Sequence, residues 1–232
     1  QVDMATGNWD CVSITGVQVL WFYNVDIFNE VGVQPPKTWA EFEAVCEKLA
    51  AAGYQPLAVS GTFQSFWAEQ MGWLAQVYAD QTTRSQIEIV RAQEGDFCYD
   101  PDIDGAFTYD PTDPHNDDDS NVTSNGVRFW KAFLNDGTIS ADTEGMKTVW
   151  SNFAKIFPQY AGGENFYGTD ANGAKTLFFQ QDAAIYLSGS WFFGDYLNLL
   201  DDIRSGESVK VGEAEVTGLK EFALGTFAMP SM

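Results

Sequence analysis

The sequence predicts an α/β fold in which buried strands alternate with capped, amphipathic helices. The first observation is an unbroken apolar and aromatic run over residues 20–23, which is typical of a strand buried on both faces. The second is a long helical pattern soon after it, bounded by a start signal and a stop signal. The third is a later helix, turn and strand around residues 183–187, followed by a Gly-Ser corner. Together these features favour a helix-rich α/β domain.

The first strand is expected over residues 17–23, and two helices follow it. Gly32 and the prolines after it stop the first, short helix. Thr38 caps the second helix, and Glu41 three residues later completes a capping box. Gly53 stands where a left-handed residue ends a helix. The apolar positions of the second helix repeat at helical spacing and predict its buried face: Trp39, Phe42, Val45, Cys46 and Leu49.

The middle of the chain combines short regular elements with an acidic, irregular segment. We expect a strand over 57–60 and a helix over 65–79. Residues 92–127 contain ten acidic residues and no lysine or arginine, which indicates an irregular surface excursion. A helix then starts at Ser124 as its cap and stops at Gly137. Its apolar residues are expected to face inward: Val127, Trp130, Phe133 and Leu134.

The last third repeats the alternation of helices and strands. A helix is expected over 143–157, because Pro158 ends it. A further helix leads into the strand over 183–187, and residues 222–230 contain the last strand.

Composition excludes several classes of protein. With 12 basic and 33 acidic residues, the net charge is −21, so nucleic acid and anionic lipid are excluded as partners. A hydrophobic content of 45% excludes a disordered chain. The three cysteines, Cys11, Cys46 and Cys98, form no CxxC pair or zinc-type spacing. An extracytoplasmic protein could pair two of them, and the sequence leaves open which two.

Residues 23–61 carry a recognisable signature. The segment YNVDIFNEVGVQPPKTWAEFEAVCEKLAAAGYQPLAVSG resembles the pattern YN-x-x-[LI]-F-x-x-x-G-[LV]-x-x-P-x-T-W-x-E-F. That pattern is typical of extracellular solute-binding proteins of carbohydrate ABC transporters, the maltose-binding-protein-like family. The matching positions are Tyr23, Asn24, Phe28, Gly32, Pro36, Thr38, Trp39, Glu41, Phe42, Leu49, Gly53 and Pro56.

A second segment, NGAKTLFFQQDAAIYLSGSW over residues 172–191, resembles the family pattern F-x-x-G-x-A-A-M-x-x-x-G-x-W. Two positions depart from it. Gln181 stands in the place of a glycine, which puts the turn before the strand in question, and Asp182 stands where the family usually has lysine or another polar residue. Ile185 replaces the usual methionine with a residue of similar volume. The matching positions are Phe179, Ala183, Ala184, Gly189 and Trp191.

The resemblance implies a type II periplasmic-binding-protein-like fold, of which this chain contains mainly the second lobe. Residues 1–16 would then be a first-lobe remnant and hinge, 17–222 the second lobe, and 223–232 a hinge strand returning to the first lobe. The resemblance also implies that the first and last of these strands, over 17–23 and 222–227, are neighbours at the edge of the domain that faces the other lobe. No signal peptide precedes the first strand, so for this family we expect a fragment. The resemblance further implies an extracytoplasmic, monomeric receptor, lipid-anchored at full length, which delivers a sugar or oligosaccharide to an ABC permease and catalyses no reaction.

The resemblance also implies where the ligand binds. Trp191 resembles the tryptophan on which sugars stack, with Gly189 allowing close approach of the backbone and Ser190 capping the following helix. The alternative for Trp191 is a core position, since tryptophan is often largely buried. A second cluster, on the turn expected to face the cleft, consists of Phe63, Gln64 and the weaker candidate Trp67, for which core packing is equally expected. Thr15, at the first crossing between lobes, completes the candidates.

The acidic excursion contains one motif with metal-binding spacing. Asp100, Asp102 and Asp104, followed by Gly105, fit the opening D-x-D-x-D-G of a calcium loop. The twelfth position is Pro111, where a bidentate glutamate belongs. A structural Ca²⁺ and a plain acidic loop therefore remain the two alternatives, and no other cofactor is expected.

Catalytic signatures are weak. His115 is the only histidine and lies in the acidic excursion, and the sequence contains neither a P-loop nor G-x-S-x-G. The rival hypothesis is a secreted carbohydrate-active enzyme, or its binding module, with a calcium loop; sugar turnover would distinguish it from a receptor. A receptor for a cationic ligand such as a polyamine would need carboxylates in the cleft. The sequence does not identify the sugar, because the other lobe supplies about half of such a cleft.

Overall fold

The computed structural model describes residues 16–68, 70–110, 113, 115–116 and 120–232. Its contacts divide the described chain into two units. We call residues 16–76 and 151–232 the sheet unit, and residues 77–150 the helical unit. The predicted second lobe over 17–222 thus contains parts of both units, and the predicted return strand lies in the sheet unit.

The described chain alternates helices and strands, which confirms the predicted α/β class. The strands are β1 (Val19–Asn24), β2 (Gln55–Ala58), β3 (Ala183–Gly189), β4 (Val209–Val211), β5 (Ala214–Val216) and β6 (Leu224–Phe227). The helices are α1 (Val25–Val31), α2 (Trp39–Ala51), α3 (Phe63–Ala68), α4 (Gln70–Thr83), α5 (Ile87–Val90), α6 (Gly126–Leu134), α7 (Glu144–Ile156), α8 (Ala171–Phe179) and α9 (Phe192–Ser205). Two 3-10 turns lie at Arg84–Gln86 and Gly163–Gly168.

The main sheet has the strand order β2-β3-β1-β6. β2 runs parallel to β3, whereas β1 is antiparallel to both β3 and β6. The pairing of β1 with β6, with Trp21 opposite Phe227, confirms that the strands predicted over 17–23 and 222–230 are neighbours. β6 forms the edge of the sheet and β1 lies one strand inside it.

Helices cover both faces of this sheet, as the unbroken apolar run in β1 predicts. Trp21 points to one face and packs on Phe42 of α2 at a ring distance of 5.1 Å. The next residue, Phe22, points to the other face and packs edge-on against Phe192 of α9 at 4.8 Å. Both residues are fully buried, so adjacent side chains of one strand anchor two layers of helices.

The capping signals of α2 are confirmed. The Thr38 hydroxyl accepts from the Glu41 N–H at 3.3 Å, and the Glu41 carboxylate accepts from the Thr38 N–H at 3.2 Å. Gly53 has a left-handed φ of 94°. The predicted inward face is buried in full: Trp39, Phe42, Val45, Cys46 and Leu49.

The turn before β3 accommodates Gln181 in place of glycine. Gln181 adopts a left-handed φ of 64°, and its side chain makes two tertiary hydrogen bonds. Its amide donates to the Lys220 carbonyl at 3.0 Å, and its carbonyl oxygen accepts from Asn24 at 3.4 Å. A non-glycine residue with this φ costs roughly 1–2 kcal/mol, and these contacts help to offset that cost.

In the helical unit, one prediction is wrong. The residues of α6 expected to face inward are exposed: Val127, Trp130, Phe133 and Leu134. Ala132 is buried instead, and the cap is Asn125, whose side chain accepts from the Val127 N–H at 3.0 Å, in place of Ser124. The sequence does define an apolar side of α6, but the opposite side, which carries Ala132 and the Arg128 side chain paired with Asp96, is the one that meets the rest of the unit.

Two further elements have other boundaries than expected. The strand predicted over 57–60 is β2 (Gln55–Ala58), and the helix predicted over 65–79 consists of α3 and α4, which begin at Phe63 and end at Thr83. The described residues between 92 and 123 form turns, bends and irregular backbone, as the acidic composition predicts. Within the described parts of the chain, no helix is both long and apolar enough to cross a bilayer.

Candidate functional site

Three chain segments of the sheet unit meet at one end of the strands of its sheet. β2 and β3 are parallel, so their carboxyl ends lie at this same end, and α3 and α9 follow them. β1 begins at this end, because Val19 pairs with Gly189. In α/β sheets the carboxyl ends of parallel strands are the usual place for a ligand. The candidate site lies here.

A cavity of about 250 Å³ opens at this end of the strands. Aromatic rings and polar groups alternate around it, which suits a ligand with both apolar faces and hydroxyl groups. The residues that define it are Gln70 and Trp73 from α4, Asn172 and Lys175 from α8, Ser188 from β3, and Trp191 before α9.

Trp191 is an exposed aromatic residue held in a fixed place. Half of its surface is exposed (50%), which argues against the alternative of a core tryptophan. Its ring meets that of Trp73 nearly edge-on, at 5.7 Å and 81°. Its ring also covers Gly189, where an added Cβ would lie only 2.0 Å from Trp191 Cζ3. Gly189 therefore makes room for the Trp191 ring itself, which is a different role from the predicted approach of the backbone to a ligand.

Ser190 connects the corner to β1 and does not cap α9 as predicted. The capping position belongs to Trp191, which makes no side-chain capping bond. The Ser190 N–H donates to the Gln18 carbonyl at 2.8 Å, and its hydroxyl accepts from the Gln18 N–H at 3.4 Å. These bonds fasten the residue before Trp191 to the start of β1, which limits movement of the ring.

Two polar side chains of the cavity are themselves held by neighbours. Gln70 is buried; its carbonyl oxygen accepts from the Ser60 N–H at 2.5 Å and its amide donates to the Leu187 carbonyl at 2.5 Å. It thus ties the chain after β2 to β3 and positions the cavity wall. Lys175 forms an ion pair with Asp195, in the first turn of α9, at 2.6 Å, which orients its ammonium toward that helix.

The other predicted binding residues lie elsewhere or outside the described chain. Phe63 is 84% exposed and Gln64 is exposed on α3, and neither lines the cavity. The Trp67 side chain and Thr15 lie outside the described residues. The structure therefore brings together Gly189, Ser190 and Trp191 and leaves Phe63 and Gln64 apart from them.

Sequence reasoning missed Trp73, Asn172 and Lys175. Of these, Trp73 leaves a signal in the sequence. The buried stripe of α4 is formed by Met71, Leu74 and Tyr78, and Trp73 lies out of phase with it and is half-buried. A large aromatic residue off the core stripe of a helix is a candidate for binding. Asn172 and Lys175 leave no such signal, because polar residues are ordinary at the start of a helix.

The acidic loop uses its carboxylates to hold its own backbone. Asp104 is buried; one of its oxygens accepts from the Thr123 N–H at 2.7 Å and the other from the Asp100 N–H at 2.8 Å. Asp100 in turn accepts from the Asp102 N–H at 2.9 Å. Within the described residues no three His, Cys, Asp or Glu side chains are grouped to hold a metal, so Asp100, Asp102 and Asp104 do not converge as the calcium motif predicts.

Two of the three cysteines lie in the described chain, and both are free. Cys46 is buried in α2, where burial raises the pKa of its thiol well above the usual range. Such a thiol is unreactive and serves as a small apolar core group. Cys11 lies outside the described residues.

Comparison with known proteins gives concordant results. A family model for bacterial extracellular solute-binding proteins matches residues 6–204. A probable sugar-binding periplasmic protein of Mesorhizobium japonicum is 24% identical over 194 residues, which cover 82% of this chain and 34% of that protein.

Solved structures share the fold. RafE of Streptococcus pneumoniae, a solute-binding protein solved with raffinose, has a TM-score of 0.52 and 17% identity; the match covers 93% of this chain and 40% of that one. A family 1 extracellular solute-binding protein from Bifidobacterium longum subsp. infantis has a TM-score of 0.52 and 15% identity, and the match covers 92% of this chain and 38% of that one. The chain thus spans well under half the length of these relatives.

Proposed function

This chain belongs to the bacterial extracellular solute-binding proteins, and from that premise we propose that it supplies one wall of the sugar-binding cleft of a transport receptor. The relatives it matches are longer, so the opposite wall would come from the remainder of such a receptor. The receptor would act outside the cytoplasm as a monomer, anchored by a lipid, and would pass its sugar to an ABC permease.

The half-exposed Trp191 carries this proposal. Its ring is fixed over Gly189 and against Trp73, and it lines the same cavity as Lys175. The C–H face of a sugar ring packs on such an aromatic surface, while fixed polar groups bind its hydroxyls. Because the ring is already held in place, binding costs little rotamer entropy.

The same cavity disfavours a cationic ligand. Lys175 contributes a positive charge to the wall, and the nearby Asp195 carboxylate is already paired with it. A polyamine would meet a like charge at this point, with the desolvation cost of both ammonium groups. A neutral, hydroxyl-rich ligand meets no such penalty. The names of the relatives, one solved with raffinose and one described as sugar-binding, support the same substrate class.

Trp191→Ala in the intact receptor tests the proposal. Removing an aromatic anchor is expected to weaken sugar binding by about 2 kcal/mol, roughly thirtyfold. The free energy of unfolding should fall by much less than the roughly 3–5 kcal/mol typical of a core aromatic, because half of the ring is already exposed. Calorimetric titration with a panel of mono- and oligosaccharides measures the first quantity, and a denaturant melt the second.

Trp130→Ala is the matched control, since Trp130 is 56% exposed and lies in the helical unit. It should leave sugar affinity unchanged. If Trp191→Ala keeps full affinity, or if it unfolds the protein, the ring is not the binding surface. Chromatography of the sugars after prolonged incubation separates receptor from enzyme: cleaved products would favour a carbohydrate-active enzyme.

A further inference from the structure

A second groove adjoins the cavity at Trp191. Asn172, at the start of α8, lines this cavity and also a second, larger groove of about 740 Å³. The second groove lies between α8 and the β4–β5 hairpin, entirely within the sheet unit. Polar and apolar side chains share its walls: Thr169, Asp170, Thr176, Leu177, Val211 and Glu213.

Both sides of the second groove are firmly held. On the helix side, the Asp170 carboxylate caps α8 by accepting from the Gly173 N–H at 2.7 Å. On the hairpin side, Val209, Val211 and Val216 are buried in the core with residues of α8 and α9. The groove is therefore formed before any ligand arrives.

The hairpin turn comes close to α8 at Asn172, the residue that lines both the cavity and the groove. Gly212, in the hairpin turn, has a left-handed φ of 62°, and an added Cβ there would lie 2.6 Å from the Asn172 amide nitrogen. The turn thus approaches Asn172 more closely than any side chain would allow. The Asn172 side chain carries both a hydrogen-bond donor and an acceptor, and it lies where a sugar ring in the cavity would be linked to a ring in the groove.

The side chains of the groove restrict the class of ligand that can bind there. Asp170 and Glu213 are acceptors for hydroxyl groups, and their charge repels phosphate or carboxylate substituents. The partly exposed Leu177 offers apolar surface next to them, and the buried Val211 lies at the base of the groove. The first cavity, at about 250 Å³, falls below the roughly 300–1,000 Å³ of most ligand sites, whereas the groove adjoining it is large enough for further units.

We propose that this groove is a second subsite, so that the ligand is a neutral oligosaccharide. One ring packs on Trp191, and the chain continues past Asn172 into the groove between α8 and the hairpin. This inference rests on the proposed sugar-binding function.

The test fills the groove without touching the first cavity. Ala214 in β5 is exposed and lines the groove, so Ala214→Trp would occupy it, and tryptophan suits a strand. Glu215→Trp is the matched control, because the next residue of the strand points to the opposite face. Glu213→Lys is a milder variant at an exposed turn position, which removes an acceptor and leaves the strand unchanged.

Dissociation constants would be measured by calorimetry on the intact receptor, with galactose, melibiose and raffinose as one series and glucose, maltose and maltotriose as another. In the unmodified protein, the trisaccharide of the series that binds should bind about tenfold or more tighter than its monosaccharide. Ala214→Trp should abolish this gain, and Glu213→Lys should reduce it, with monosaccharide affinity unchanged in both. Glu215→Trp should behave like the unmodified protein.

Equal affinities for the monosaccharide and trisaccharide would overturn the second subsite, as would an unchanged gain in both groove variants. Either result leaves the sugar-binding proposal standing. If no member of either series binds the unmodified receptor, the proposed sugar-binding function is refuted, and the second subsite is refuted together with it.

Discussion

Gly189→Ala is the most direct perturbation of the candidate site. The new methyl group would lie 2.0 Å from Trp191 Cζ3 and 2.4 Å from Cε3 and Cη2, whereas ordinary contact begins at 3.4 Å. Gly189 does not have a left-handed φ, so the backbone itself accepts alanine without strain. The ring must therefore move away by more than an ångström, and its contact with Trp73 breaks.

The effect on stability is expected to be small, and the effect on binding large. Loss of the aromatic pair costs about 0.5–1.5 kcal/mol. Replacing glycine stabilises the fold by about 0.4–1 kcal/mol through the unfolded chain, so the two contributions nearly cancel. Sugar binding has no such compensation, because the displaced ring no longer presents its face to the cavity. We expect an affinity loss of about tenfold or more.

Calorimetric titration and a denaturant melt of the intact receptor measure these two quantities. Gly194→Ala is the matched control: Gly194 lies in α9 close to the site, and an added Cβ there meets nothing within 4 Å. The Gly194→Ala variant should keep full sugar affinity, and its free energy of unfolding should rise by up to about 1 kcal/mol, because alanine has the higher helix propensity. Unchanged affinity in Gly189→Ala would refute the argument that the fixed ring position matters, and a loss of several kcal/mol in stability would show that Gly189 serves the core.

Two other predictions concern the helical unit. Arg128 donates to both oxygens of Asp96 at 2.5 and 3.0 Å and, with the Gln93 N–H, holds the pKa of Asp96 well below its usual range. The resulting stabilisation is present above the unfolded carboxylate pKa of about 4 and decreases as the pH falls from there toward the lowered pKa of the folded state, so Asp96→Asn should be less stable than the unmodified protein at pH 7 and the difference should be clearly smaller at pH 2. A deficit of unchanged size at pH 2, or one that the exposed Asp136→Asn matches at pH 7, would contradict this in urea melts. Because both Asp104 oxygens already accept backbone N–H groups, millimolar calcium and excess chelator should leave the Tm unchanged; a calcium-dependent rise in Tm would restore the calcium-loop hypothesis.

The family signature left open the geometry of the turn before β3, where Gln181 replaces a glycine, and the structure shows that geometry. A residue in place of the usual glycine suggested altered turn geometry, yet the chain keeps the left-handed conformation there. What makes this tolerable is non-local: the side chain reaches Asn24 and Lys220, which lie far away in sequence. A pattern of neighbouring residues carries no information about such partners.

The sequence by itself determined the features that depend on nearby residues. The capping box of Thr38 and Glu41, the helix end at Gly53 and the buried stripe of α2 follow from spacing over a few positions, because capping bonds and helical periodicity are local. The family signature added long-range information that spacing lacks. From it came the pairing of the first and last strands of the main sheet and the corner at Gly189 and Trp191.

Only the tertiary structure decided which side chains meet. Trp73 reaches Trp191 because the parallel pairing of β2 with β3 brings the helices that follow these strands to the same end of the sheet. Asn172 and the turn at Gly212 likewise come close although they are far apart in sequence. The exposed face of α6 was also decided by the tertiary structure: local spacing predicts an apolar side of this helix, yet the side with Arg128 and Ala132 is the one that meets the rest of the unit. Local periodicity specifies that a helix forms, whereas its contacts depend on where distant segments of the chain pack.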